Sequence, residues 1–331
     1  MSTERTLDGK TILVTGGAGF IGSHFIRLIL HRHKQTKVVN LDKLTYAGNL
    51  DNLKDVGENP RYEFVLGDIR DRALVRRLFA RVQAVVHFAA ETHVDRSIYE
   101  AGEFVLTNVH GTYTLLDALR AFPAIEVFAH ISTDEVYGSR MGRAARESDP
   151  FQPSSPYAAT KAAGDHLARA YHVTYGLPTV VLRPSNTYGP SQFPEKLIPL
   201  FLTNALEGKT VPVFGDGLNV REWLYVEDHC RAVEAVLLRA RGGSVYNIGG
   251  GVELANIDLA RRILDAVEAP HELIQFVPDR PGHDRRYAMD SSLIRALGWE
   301  PEVPFAEGLK RTVRWYAANR SWWRKVRTRS L

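Results

Sequence analysis

Thr11-Ile12-Leu13-Val14-Thr15 runs straight into Gly16-Gly17-Ala18-Gly19-Phe20-Ile21-Gly22, and the reading of this junction decides the fold. Five apolar or β-branched residues bounded by glycine predict a buried strand, and the amphipathic Ser23–His31 that follows predicts a helix. Glycines between a strand and a helix allow a tight turn and let backbone N–H groups approach a pyrophosphate at the positive end of the helix. Gly16, Gly19 and Gly22 are therefore expected to cradle a dinucleotide.

Working outward, further strands are expected at Lys37–Leu41, Tyr62–Val65, Ala84–Phe88, Glu126–Ile131 and Thr179–Arg183. Helical segments at Arg72–Arg81, Ala101–Ala121 and Tyr157–Tyr175 separate them. Alternation of this kind predicts an α/β fold with a doubly wound parallel sheet, a Rossmann domain over residues 8–188. After Tyr188 the prolines 190, 194 and 199 and the glycines 215 and 217 cut the chain into shorter elements before Val245–Ile248 and Ile257–Ala266. Residues 189–323 are expected to form a smaller mixed α/β substrate-binding domain, with late strands free to return to the first sheet. Trp315, Trp322 and Trp323 are expected to pack a terminal helix.

Composition excludes several classes. The formal charge of +4 is matched by Arg324, Lys325, Arg327 and Arg329, which leaves residues 1–323 neutral. The basicity thus belongs to a short end, 324–331, read as a solvated tail, and no nucleic-acid partner is expected. Cys230 is the only cysteine, so no intrachain disulfide and no zinc cluster are expected, no metal site is foreseen, and a reducing cytoplasm fits. No apolar run approaches a membrane span, and Met1 to Lys10 lacks the apolar stretch of a secretory signal.

Asp42 stands 20 residues beyond Gly22, just after the second strand. An acid there accepts hydrogen bonds from adenosine ribose hydroxyls and repels a 2′-phosphate, which favours NAD over NADP. Asp68, in Gly67-Asp68-Ile69, is placed to meet the adenine amino group, or simply to close a surface turn. Tyr157 and Lys161 are four apart and share a helix face. A phenol with an ordinary pKa of about 10 serves as a base near neutrality only when a cation and the nicotinamide charge favour its phenolate, and Lys161 supplies that cation. Ser132-Thr133-Asp134-Glu135-Val136-Tyr137-Gly138 follows a strand end, where ligands bind in open α/β sheets.

On these motifs the chain resembles the extended short-chain dehydrogenases that modify sugar nucleotides, and among them the dTDP-glucose 4,6-dehydratases. Asp42-Lys43-Leu44-Thr45-Tyr46-Ala47-Gly48-Asn49, Ala89-Ala90-Glu91-Thr92-His93-Val94-Asp95-Arg96-Ser97 and Phe193-Pro194-Glu195-Lys196-Leu197-Ile198-Pro199-Leu200 extend the resemblance over nearly the whole chain. It implies further cofactor contacts from Phe20, Ile21, Lys43, Ile69, Ala89, Ala90 and Thr107. It also implies that Thr92, Thr133, Asn186, Lys196, Arg221, Asn247, Arg280 and His283 contact a sugar nucleotide, and that two chains pair through the helices Ala101–Ala121 and Tyr157–Tyr175. The implied chemistry is oxidation at sugar carbon 4, with Tyr157 as base and Thr133 holding the oxygen. Glu135 then takes the carbon-5 proton, protonated Asp134 gives a proton to the leaving 6-hydroxyl, and hydride returns to carbon 6.

Two rivals keep part of this pattern. A UDP-sugar decarboxylase or epimerase needs the Tyr/Lys oxidation but no acid pair poised for elimination, so Asp134-Glu135 speaks against it. A non-catalytic dinucleotide-binding regulator would keep the glycines and could lose the base, which this chain retains. Two departures from the family stand out: Pro184-Ser185-Asn186-Thr187-Tyr188-Gly189-Pro190 replaces its usual Cys-Ser-Asn-Asn-Tyr-Gly-Pro, and the connection from Gly138 to Phe151 is short.

Overall fold

In a computed structural model describing residues 4–328, the strands are β1 Thr11–Thr15, β2 Lys37–Asp42, β3 Tyr62–Leu66, β4 Ala84–His87, β5 Val127–Ile131, β6 Thr179–Pro184, β7 Asn186–Tyr188, β8 Val211–Phe214, β9 Val220–Tyr225, β10 Val245–Ile248, β11 Val252–Ala255 and β12 Ile274–Val277. Seven of them form one sheet in the order β10-β6-β5-β4-β1-β2-β3, and every pairing in it is parallel. β1, β4 and β5 are buried along nearly their whole length, as helices on both faces require. The doubly wound sheet read from the sequence is therefore what forms, and β10 returns from late in the chain to its edge.

The strand order reverses between β1 and β4, which opens a crevice at their carboxyl ends. Beneath it, Thr15 Oγ1 meets His87 Nδ1 at 2.8 Å and His87 Nε2 meets Thr112 Oγ1 at 3.0 Å, tying β1, β4 and a covering helix together. A three-stranded sheet, β11-β9-β7, and a β12-β8 pair form separately from it, and Asn186 and Thr187 of β7 line the cavity in the crevice.

Two elements differ from the sequence reading. Ala101–Ala121 is not one regular helix: Gly102–Phe104 leads into a π-helix at Val105–Gly111 and then Thr112–Leu119. The widened turn is held by side chains that engage the backbone: Asn108 Nδ2 donates to Glu91 O at 3.0 Å, and Thr112 Oγ1 donates to Asn108 O at 2.7 Å. The basic end is not a solvated tail over its described part. Arg320–Arg327 is a helix that buries Trp323 and Val326, because one face of it is apolar; Arg329 lies outside the described residues. No helix among the described residues is long and apolar enough to cross a membrane.

Candidate active site

The glycine turn is built for close backbone approach. Gly16 adopts φ 72°, and a Cβ there would stand 2.6 Å from Ala89 N; one on Gly22 would stand 2.5 Å from Gly16 O. Gly19 caps the helix Phe20–Arg32 with no side chain of its own over the helix end, so the first N–H groups stay open to an anion. Asp42 closes the turn: Ala18 N–H donates to its Oδ2 at 2.9 Å and Leu44 N–H to its Oδ1 at 2.8 Å. Gly16, Gly19, Phe20, Ile21, Gly22, Asp42, Lys43, Asp68, Ile69, Ala89, Ala90 and Thr107 all line one cavity, together with Thr133, Asp134, Glu135, Tyr157 and Lys161. Asp68 is paired with Lys43 at 3.0 Å and with Arg70 at 2.8 Å. The residues present fit a dinucleotide.

Tyr157 and Lys161 owe their places to a well-specified helix start. Ser155 accepts from Ala158 N–H at 3.1 Å, Pro156 follows at the first helical position, and Gly176 ends the helix at φ 68°. Loss of such a cap costs about 1 kcal/mol. Ser97 Oγ further accepts from Tyr157 N–H at 3.1 Å. Lys161 Nζ donates to Ile131 O at 2.5 Å, at the end of β5. Burial lowers its ammonium to about 8, with the Asp165 carboxylate one turn away pulling upward. The phenol of Tyr157 is pushed well up by burial and then by Glu135, while its hydrogen bond with Thr133 works the other way. The protein alone therefore keeps this tyrosine protonated, and the positive charge of a nicotinamide is needed to make it a base.

Thr133 caps a short turn of 3-10 helix, Asp134–Tyr137, which projects two carboxyl groups from the end of β5. Their environments differ. Asp134 is raised well above the usual carboxylate range by burial and then by Glu135 and Glu222, and its Oδ2 has no partner. Glu135 is raised by burial too, but Arg280, Arg221 and Lys196 draw it back. One acid is thus held protonated beside another that ionises more readily, the condition for an acid and a base in one site.

Of the residues implied for the substrate, Thr92, Thr133, Asn186 and Lys196 line the cavity. Lys196 Nζ donates to Thr92 O at 2.6 Å, and Asn186 Oδ1 is buried without a partner. Arg221, Arg280 and His283 do not line it: Arg221 donates to Asp284 O at 3.0 Å, Arg280 to Asp95 at 2.9 Å, and His283 pairs with Asp279 at 2.6 Å. Asn247 is away from it as well. Its Oδ1 accepts from Tyr137 O–H at 2.8 Å and its Nδ2 donates to Ala145 O at 3.0 Å, a fully buried link between strand and loop.

Sequence reading missed other residues here. Asn108, on the π-helix, accepts from Glu91 N–H at 2.9 Å and donates to Thr160 Oγ1 at 3.0 Å, so it fixes the Ala89–Thr92 wall against the Tyr157 helix. Thr187, the departure from the family pattern, lines the cavity and meets His229 Nδ1 at 2.9 Å. Trp322 and Val326 line it too; the tryptophan was expected only to pack a helix. The aromatic cluster at the chain end was the one available signal.

Comparison with known proteins agrees with this geometry. Residues 13–312 match the family described as GDP-mannose 4,6 dehydratase. The chain is 54% identical to a dTDP-glucose 4,6-dehydratase of Streptomyces niveus, over 96% of each chain. The crystal structure of DesIV, a dTDP-glucose 4,6-dehydratase from Streptomyces venezuelae with NAD and TYD bound, superposes with a TM-score of 0.93 at 52% identity, covering 96% of this chain and 99% of that one. A Thermotoga maritima UDP-glucose 4-epimerase with UDP-glucose is more distant, at a TM-score of 0.86 and 32% identity, over 93% of this chain and 99% of that one.

Proposed function

Because the chain belongs to the GDP-mannose 4,6 dehydratase family, and because an acid pair with divided protonation stands beside Tyr157 and Lys161, we propose that it is an NAD-dependent hydro-lyase converting dTDP-glucose to dTDP-4-keto-6-deoxyglucose. The observation that carries this reading is Asp134-Glu135 at the end of β5, in the same cavity as the tyrosine base. An epimerase or decarboxylase on this scaffold would have no use for a buried, protonated Asp134.

Bound NAD⁺ would supply an acceptor and store for the hydride that leaves carbon 4 and returns to carbon 6, so the sugar departs with carbon 4 still a ketone and no net oxidation. Gly16, Gly19, Gly22 and Asp42 hold it, residues 8–188 forming its domain and 189–323 mainly that of the sugar nucleotide. Tyr157 takes the proton of the sugar 4-hydroxyl, Lys161 stabilises the resulting phenolate, and Thr133 steadies the oxygen. The 4-keto group acidifies the carbon-5 hydrogen, Glu135 removes it, and Asp134 delivers its proton to the departing 6-hydroxyl. Lys196, with Arg221 and Arg280, meets the nucleotide portion, Asn186 and His283 make further substrate contacts, and Thr92 lies near the sugar; Arg280 and Arg221 already act on Glu135 through space. Asn247 serves this set as a framework residue.

We place the enzyme in the cytoplasm as a homodimer. Support comes from Val105 and Leu106, 49% and 43% exposed, and from Val173 and Tyr175, 74% and 47% exposed, on the two helices expected to pair. Light scattering is expected to give the mass of two chains; a single-chain mass contradicts the pairing. Incubation with dTDP-glucose is expected to yield a product lighter by one water. Turnover confined to a UDP-sugar acid with loss of carbon dioxide, or simple epimerisation, would overturn the reaction proposed.

A further inference from the structure

The C-terminal helix Arg320–Arg327 has a face the mechanism does not use. Trp322 and Val326, one turn apart, form part of the wall of the dinucleotide cavity. Trp322 Nε1 donates to Asn52 Oδ1 at 3.1 Å, Asn52 Nδ2 donates to Ala18 O at 3.0 Å, and Ala18 N–H donates to Asp42 at 2.9 Å. The helix is thereby hydrogen-bonded, through one asparagine, to the middle of the glycine turn. Lys325 adds an ion pair to Asp51 at 2.8 Å.

The same helix is anchored to the other half of the molecule. Arg327 donates to Asn204 Oδ1 at 2.7 Å and pairs with Glu207 at 2.9 Å; Arg324 reaches the same carboxylate at 3.2 Å. Buried Trp323 donates to Tyr316 O at 2.9 Å, and the Tyr316 hydroxyl donates to the carbonyl of Gln192, itself in the cavity wall. One short helix therefore bridges residues 51–52 of the cofactor domain and residues 192–207 of the second domain across the cavity.

We propose that Trp322 and Val326 belong to the cofactor-binding wall and that the helix Arg320–Arg327 is a strap that retains the dinucleotide. The inference rests on the NAD-dependent reading above and deepens it. A reaction that lends a hydride and takes it back fails if the reduced cofactor escapes between the two steps, so retention is a chemical requirement rather than a convenience. Opening the cleft on this side requires breaking the Trp322–Asn52 hydrogen bond, uncovering the apolar wall and separating Lys325 from Asp51. Losing the wall and the hydrogen bond is expected to speed release on the order of tenfold, and losing the exposed ion pair by about twofold to fivefold.

The test loads the full-length holoenzyme with radiolabelled NAD, chases it with excess unlabelled NAD and times the release, with thermal unfolding followed in parallel. Trp322→Ala is expected to release NAD roughly tenfold faster than the parent, and Trp322→Phe, which keeps a ring in the wall but loses the donor, to fall between them. A parent that carries no NAD would count against the cofactor reading, and the strap with it. A parent that holds NAD and a folded Trp322→Ala variant that holds it equally long would overturn the strap alone. If Trp322→Ala does not fold, Lys325→Ala decides: its side chain is largely exposed and is paired with Asp51, so faster release at unchanged melting supports the strap, and unchanged release contradicts it.

Discussion

Replacing Tyr157 with Phe is expected to lower kcat by about three orders of magnitude while leaving NAD bound and the fold intact. The ring still packs against Phe104, whose centroid lies 6.4 Å away, so the change removes one oxygen and its proton-transfer role. The pH dependence of the parent enzyme follows from the same pair. Lys161 must be cationic to favour the phenolate, and burial brings it down to about 8. Below that pH the cation is present, and above it the ammonium is lost, so kcat/KM should fall as pH rises through about 8. On the acid side Glu135 must be ionised, and burial raises it, so activity should also fall as pH drops through its elevated pKa. A Tyr157→Phe variant within tenfold of the parent, or a flat profile through pH 8, would remove Tyr157 and Lys161 from the roles given to them.

Glu135→Gln is expected to separate the two halves of the reaction. The amide keeps the shape of the side chain and cannot take the carbon-5 proton, so dehydration should slow by about a hundredfold or more, while oxidation at carbon 4 proceeds. On mixing with dTDP-glucose the variant should accumulate reduced cofactor, visible in its near-ultraviolet absorbance, with the 4-keto sugar still carrying its 6-hydroxyl. If product forms at the parent rate, Glu135 is not the base; if no reduced cofactor appears either, its carboxylate serves the oxidation step. Asp134→Asn provides the contrast, because an amide can still donate a hydrogen bond but has no proton to give the leaving hydroxyl.

The chain's own residues made much of this legible in advance. The apolar runs of β1, β4 and β5 mark strands buried on both faces, and the glycines after β1 can be read because backbone approach to a pyrophosphate tolerates no side chain there. Tyr157 and Lys161 are legible because their four-residue spacing puts both on one face of a helix. What could not be read depends on contacts distant in sequence. The π-turn around Asn108 exists because that side chain is engaged by Glu91 and Thr160, and no periodicity within residues 101–121 encodes those partners. Asn247 matches a substrate-contact position in the linear pattern, yet its amide is taken up by Tyr137 and Ala145. The last helix looked like a solvated basic end because its cations were counted without Asp51 and Glu207, which lie more than a hundred residues earlier.

The reaction is claimed to move one hydride from carbon 4 to carbon 6 of the same sugar with no net oxidation. The incubation with dTDP-glucose, repeated with substrate deuterated at carbon 4, tests that directly. The deuterium is expected at carbon 6 of the 4-keto-6-deoxy product, retained in nearly every molecule. A dehydrated product without the label, or deuterium found in free reduced cofactor, would contradict the account.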